Sequence, residues 1–184
     1  MRIVKHKRSK REKILEEYPD AVIIYVTSKG EDRWQRLSPF YPHGGIPVPF
    51  MEGVTSMSVE GIWQGLKVFE NHGIDRSSFR NDTMRNIKRT TRKYGRCIGH
   101  RKGSGELLEY IEARKQIYVP SYFWMLEHRC GTQMEQLRRL SAERTVILLD
   151  YDTNEDIDDY RKPLSHASLI KRYVAAIKAR AGGE

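Results

Sequence analysis

Apolar residues along the chain follow two periods, one of strands and one of helices. Ala21-Val-Ile-Ile-Tyr-Val-Thr27 and Thr145-Val-Ile-Leu-Leu-Asp150 are short runs rich in branched side chains, so both predict buried strands. Trp34 to Leu37 predicts a further strand. Ser38 to Phe50 carries Pro39, Pro42, Pro47 and Pro49 with Gly44 and Gly45, which suits an ordered loop or sheet edge and excludes a helix or a central strand. Helical periodicity predicts a short charged helix over 9–17, stopped by Pro19, and helices over 58–71 and 82–94, with Gly73 and Gly95 as stops. Further helices are expected over 106–118, from Pro120 to about Arg129, and over 133–140 behind Thr132. A last amphipathic helix, capped by Ser165, should run to about Arg180 with Leu169, Ile170, Tyr173, Val174 and Ile177 on one stripe. Few strands among many helices predict an α+β fold: one mainly helical domain around a small sheet over 20–184, preceded by a basic arm or helix over 1–19.

The segment from Ser58 to Phe69 carries most of the chemistry. At about 100° per residue, Val59, Ile62, Leu66 and Phe69 form an apolar stripe, while Glu60, Gln64, Lys67 and Asn71 form a polar one, with Trp63 between. Gly61 and Gly65 each cost a helix about 1 kcal/mol relative to alanine, so a close backbone neighbour or a ligand should need their small size. A carboxylate, an amide and an ammonium beside a tryptophan can form one wall of a pocket. The same pattern also describes an amphipathic helix whose polar face is solvated and whose glycines serve packing.

Composition narrows the setting. The 184 residues are 39% hydrophobic and 31% charged, which fits a globular chain, and no apolar run is long enough to cross a bilayer. The start is charged and leads into no hydrophobic signal core, so a cytoplasmic protein without membrane association is expected. Cys97 and Cys130 permit one disulfide, although a reduced protein is the simpler reading. The formal net charge of +9 favours polyanionic partners, DNA or RNA among them. Its cations cluster at the N-terminus and between Arg80 and Lys102, against an acidic run from Asp150 to Asp159. The six histidines are scattered, and only His128 and Cys130 stand at a common ligand interval, so no metal and no cofactor is expected.

Leu37-Ser-Pro-Phe-Tyr-Pro42, a Gly/Pro-rich stretch, and then Ser58-Val-Glu60 followed by Gln64, Lys67 and Phe69 resemble the pattern of the NADAR superfamily. That family has a Leu-Ser-Asn-Phe-Tyr-like segment and a helix reading Ser/Thr-x-Glu-His-Tyr-x-Gln-Ala-x-Lys-Phe. Tyr94-Gly-Arg96 resembles its later Gly-Arg element. The detailed match covers roughly residues 21–70 and continues more weakly beyond. Pro39 replaces the family's Asn, Gly61 its His and Ile62 its aromatic residue, and the family's Trp-Gly element has no clear counterpart. The chain thus reads as a divergent member.

The resemblance implies an N-glycosidase. Members are known or proposed to cleave N-glycosidic bonds in phosphorylated ribosyl-amines or in ADP-ribose attached to nucleobases. Glu60 would then stabilise an oxocarbenium-like transition state and activate water. Lys67 and Arg96 would hold phosphates, Trp63 or Tyr41 would stack on the base, and Ser38, Phe40 and Gln64 would line the substrate site. Asp150 or Asp152, just past the late strand, is a candidate second carboxylate, although strand-end Asp residues are often turn formers. Gly99-His-Arg-Lys-Gly-Ser-Gly105 is read as a loop before a helix. There Arg101, Lys102 and backbone N–H groups would cradle a phosphate, or the loop would merely cap the helix. A non-catalytic ADP-ribose or nucleotide-binding module and a nucleic-acid-binding protein are the competing readings.

Overall fold

The computed structural model describes residues 1–181. In chain order the elements begin with β1 (Arg2–His6), α1 (Arg11–Glu17), β2 (Val22–Tyr25) and α2 (Asp32–Gln35). Then come β3 (Ile46–Pro47), β4 (Thr55–Ser56), α3 (Val59–Gly65) and β5 (Lys67–Phe69). A 3-10 turn (Arg76–Arg80), α4 (Thr91–Tyr94), β6 (Cys97–Arg101), β7 (Leu107–Leu108) and α5 (Tyr110–Ala113) follow. A π turn (Arg114–Tyr118), α6 (Val119–Arg129), α7 (Gly131–Glu143), β8 (Val146–Asp150) and α8 (His166–Ala181) complete the α+β chain. Packing divides it into two compact units: Met1–Ser38 with the chain from Leu126 onward, and Pro39–Met125. Among the described residues no helix is long and apolar enough to cross a membrane.

The first unit is built on a parallel sheet of order β1-β8-β2. Ile3 lies opposite Ile147, and Val22 opposite Val146. All five residues of β8 are buried: Val146 to Leu149 form the continuous apolar run of a central parallel strand, and Asp150 ends it. Ile14 of α1 packs on Ile147 and Leu149, with Ile3, Tyr18, Ala21 and Ile23 around them. Each such buried aliphatic side chain contributes about 1.5–3 kcal/mol. On α8, Leu169, Ile170 and Val174 are fully buried, as the stripe predicted, and Ser165 caps the helix by accepting the Ser168 N–H at 3.3 Å.

Two expectations in this unit are corrected. Residues 2–6, read as part of a basic arm, form β1, because Ile3 and Val4 pair with a strand some 140 residues away. Trp34 to Leu37 is no strand. The Trp34 and Gln35 N–H groups both donate to the Glu31 carbonyl, and Trp34 and Leu37, three apart, are buried together as on a helix turn.

The second unit packs α3 against the 3-10 turn and the π turn, beside an antiparallel sheet of order β5-β6-β7 and the short β3-β4 pair. The helix expected over 58–71 ends at Gly65, and Lys67–Phe69 instead pair with β6, placing Lys67 opposite His100. The helix expected over 82–94 forms only at 91–94. Upstream, Asn81 and Thr83 side chains accept and donate hydrogen bonds within their own turn, and Met84 and Asn86 take left-handed backbone (φ 57° and 55°), which no helix can contain. Gly95 does stop the helix, at φ 81°.

Gly99–Arg101 belongs to β6, and the turn after it leads into β7, not directly into a helix. Tyr110 begins a helical stretch that continues through the π turn, where the Val119 N–H reaches the Arg114 carbonyl five residues back. Pro120, which has no N–H to donate, follows this widened turn. In the first unit α7 starts at Gly131 with Cys130 as its cap and runs to Glu143, longer on both sides than Thr132 suggested.

Candidate functional site

Ser58 has extended backbone, and its hydroxyl accepts the Gly61 N–H at 3.0 Å, which fixes the start of α3. The helix then places Glu60 in its first turn and Gln64 one turn later. The Glu60 N–H has no acceptor within the helix and donates instead to the Pro39 carbonyl at 2.8 Å. That bond ties Pro39-Phe-Tyr41 to the start of α3 and so joins the two parts of the sequence pattern singled out above.

Glu60 and Gln64 are both buried, 7% and 3% exposed. Gln64 Nε2 donates to Glu60 Oε1 at 2.7 Å, and Gln64 Oε1 accepts the Arg89 backbone N–H at 2.9 Å. A backbone N–H can only donate, so Arg89 sets the orientation of the amide, and the amide N–H₂ is left to face the carboxylate. Arg89 is itself buried. Its guanidinium donates to the carbonyls of Gln64 (3.2 Å), Lys67 (2.7 Å) and Gly73 (2.8 Å) and lies within 5.0 Å of the ring centres of both Phe69 and Tyr94. Glu60 thus bonds Gln64, whose amide orientation is set in turn by Arg89, a residue that makes four hydrogen bonds of its own.

The glycines of α3 serve packing. A Cβ on Gly61 would stand 2.7 Å from the Ser78 carbonyl oxygen and from Ser56 Oγ, and one on Gly65 would stand 2.3 Å from the Phe79 ring. Both glycines let the helix lie directly on the 3-10 turn.

Trp63 and Lys67 are half-buried and keep part of the wall open. Trp63 stacks on His100 with ring centroids 3.8 Å apart, and meets Tyr110 and Tyr118 edge-on at 5.9 and 5.5 Å. Burial pushes the Lys67 ammonium below the usual lysine range; the Glu60 charge opposes that shift, and Lys88 and Arg89 add to it. Among the described residues the Lys67 ammonium has no hydrogen-bond partner. His100 is buried, and burial together with Lys67 brings its imidazole to about 3, so it is neutral at physiological pH. Both of its ring nitrogens lack a partner among the described residues, and the ring serves as an uncharged plate behind Trp63.

The other expected site residues of the second unit make their own contacts. Tyr41 packs on His43 at 4.6 Å, and Phe40 lies under the Lys88 ammonium at 5.7 Å. Arg96 is exposed and paired with Glu70 at 3.1 Å. Arg101 donates to the Gly105 carbonyl, and Lys102 pairs with Glu106 at 3.0 Å. Arg101 and Gly103 line an open cleft of about 480 Å³ with Phe50, Ile74 and Arg76, and none of the Glu60, Trp63, Gln64 or Lys67 side chains lines it.

Ser38, Asp150 and Asp152 belong to the first unit. Ser38 is buried there. Asp150 Oδ2 accepts the Ser165 hydroxyl (2.7 Å), the Ala167 N–H (3.2 Å) and His166 Nδ1 (3.1 Å), and Oδ1 accepts the Tyr151 N–H. This is the bonding of a carboxylate that fastens the start of α8 to the end of β8. Asp152, partly exposed in the loop beyond, adds its charge to the field at His166.

Sequence reasoning passed over Arg89 and His100. Arg89 was hidden in a basic run, although its alternation with buried Ile87 marks it as inward-facing. His100 is linked to Lys67 only by strand register, which no local pattern reveals. Among the described residues no group of three His, Cys, Asp or Glu side chains is arranged to hold a metal ion.

Residues 6–170 match the model of DUF6939, a family of unknown function, and the chain belongs to that family. None of the curated proteins matches it.

Proposed function

We propose that this protein is a divergent NADAR-type N-glycosidase, acting in a reducing cytoplasm on a ribosylated or ADP-ribosylated nucleotide-like substrate. The observation that carries the reading is the Arg89–Gln64–Glu60 chain of hydrogen bonds, which holds a buried carboxylate at a fixed angle beside a lysine with no hydrogen-bond partner among the described residues. Glu60 stabilises positive charge at the anomeric carbon as the C1′–N bond lengthens, and takes a proton from the water that attacks that carbon. The departing nitrogen acquires the proton it needs from solvent or from the same carboxyl group. Lys67 pairs with a substrate phosphate, and Trp63, backed by neutral His100, offers a face for a base or sugar. Cys97 and Cys130 are not joined in a disulfide, which suits the reducing compartment.

The alternative of a binding module without turnover rests on Gly61. The family's motif has a histidine there, and here the space of that side chain is taken by Ser56, Ser58 and Ser78. One experiment separates the two readings. Wild type and Glu60→Gln are incubated with ribosyl-amine phosphates, ADP-ribose conjugates and ADP-ribosylated oligonucleotides, and products are followed by mass spectrometry. Release of a free amine or base by wild type alone is the expected result. Ligand binding with no turnover by wild type would replace the glycosidase with the binding module.

A further inference from the structure

From Arg76 to Arg96 the chain carries eight Lys and Arg residues against one acidic residue, Asp82; eight minus one leaves +7 of the chain's net +9. Many surface cations elsewhere have acidic partners: Lys5 with Glu17, Arg138 and Arg139 with Glu135, Arg161 with Asp159, and Lys171 with Glu155. In this segment only Arg96 is so paired, and Arg89 is buried. The other six, Arg76, Arg80, Arg85, Lys88, Arg92 and Lys93, are exposed and make no ion pair among the described residues.

Their backbone is held in place. Asn81 and Thr83 both bond the Arg85 carbonyl and close the turn between Arg80 and Arg85. Ile87 and Arg89 are buried on either side of exposed Lys88, and Tyr94 packs on Phe69 and His72 behind Arg92 and Lys93. The cations are thus displayed on an ordered ridge, and a partner need not order the backbone on binding. Six exposed cations within Arg76–Lys93, with no acidic partner among the described residues, give the segment a local positive charge that a polyanion would neutralise.

We propose that the Arg76–Lys93 ridge docks the phosphodiester backbone of a nucleic acid. Repeated phosphates match a row of separate point charges. Phe79 and Ile87 face inward, Met84 is half-buried and α4 is a single turn, so the ridge offers little apolar surface with which to enter a lipid bilayer. The site is independent of Glu60.

The test is fluorescence anisotropy with labelled duplex DNA, single-stranded DNA and RNA from 50 to 300 mM NaCl. Three variants accompany wild type: R85Q/K88Q/R92Q/K93Q, the charge-matched control R8Q/K10Q/R11Q/K13Q, and Glu60→Gln. Near-UV circular dichroism checks each fold, and Lys88→Glu alone serves if the fourfold ridge variant does not fold. Wild type should bind at least one nucleic acid. On duplex DNA its log–log salt slope should reach about 5 if all six cations engage, and fall to about 2 in the ridge variant. The ridge variant should lose at least about tenfold in affinity at 50 mM salt, while the control and Glu60→Gln bind like wild type. The proposal is overturned by absence of binding at 50 mM salt, by an unaffected ridge variant, by equal loss in the charge-matched control, or by tighter binding to phosphatidylserine vesicles than to any oligonucleotide.

Discussion

Gln64 hydrogen-bonds the Glu60 carboxylate with one end of its amide and the Arg89 backbone N–H with the other, so the two residues of α3 share a single orientation. Replacing Gln64 by Leu leaves a buried carboxylate oxygen and a buried N–H without these partners, at a cost of about 1–3 kcal/mol each. Gln64→Leu should lower the urea unfolding free energy by about 2–4 kcal/mol. A change below about 0.5 kcal/mol, within the ordinary range of surface substitutions, would remove Gln64 from the role assigned to it.

The glycines of α3 and α7 should respond in opposite directions. Gly65→Ala gains about 1 kcal/mol of helix propensity but drives a methyl into the Phe79 ring, so overpacking of about 1–3 kcal/mol should leave the protein less stable. Gly131→Ala, at the first position of α7 with open space around its Cβ, should be neutral or stabilising by up to about 1 kcal/mol. Thermal melts of both variants decide it. A stabilised Gly65→Ala would show that α3 can move off the 3-10 turn.

The His166–Asp150 pair should govern the pH dependence of the first unit. Burial alone would push His166 down, but the Asp150 charge and hydrogen bonds to Asp150 and the Val26 carbonyl raise it above its ordinary value. Burial likewise acts to raise Asp150, and His166, Ser165 and the Ala167 N–H more than reverse that, leaving it low. A raised histidine contributes stability that is complete below its unfolded value near pH 6.5 and is lost as pH rises through the folded one. A lowered aspartate contributes stability that is present above about pH 3.9 and is lost as pH falls. Urea midpoints should therefore decline on the alkaline side of pH 6.5, and Asp150→Asn, destabilised by about 3 kcal/mol or more, should lose that decline. The same alkaline slope in wild type and Asp150→Asn would disprove the coupling.

Lys67 should make ligand binding sensitive to alkaline pH. Its ammonium, lowered by burial, sheds its proton earlier on the alkaline side than an exposed lysine does. Affinity for a phosphate-bearing probe such as ribose 5-phosphate, measured by calorimetry, should fall as pH rises through that lowered value. Lys67→Arg, which stays protonated, should keep whatever affinity it has across the same range. A flat profile in wild type would exclude Lys67 from the phosphate contact.

What could be read in advance was local. Ser58 as a cap and Glu60 with Gln64 one turn apart follow from helix geometry alone, and so do the stripe of α8 and the buried run of β8. Lys67 was placed on the same helix and lies on β5 instead, yet it remains within the field of Glu60. Arg89 looked like one more surface cation, since inward and outward arginines share a composition and differ only in the carbonyls the fold brings to them. β1 was invisible for a different reason. Five residues carrying Arg2, Lys5 and His6 become a strand only because β8 supplies the neighbour, and no window of sequence contains both.

That pairing also orders events in time. β8 lies between β1 and β2, so the central strand of this sheet is the last of the three to be synthesised. Until residue 150 is free, β1 and β2 have no partner at the position that joins them, while the α3, β5 and β6 contacts of the second unit span about forty residues and close early. Before β8 emerges, β1 and β2 are thus two unpaired strands with no sheet to join, whereas the pairings of the second unit need nothing from beyond residue 125.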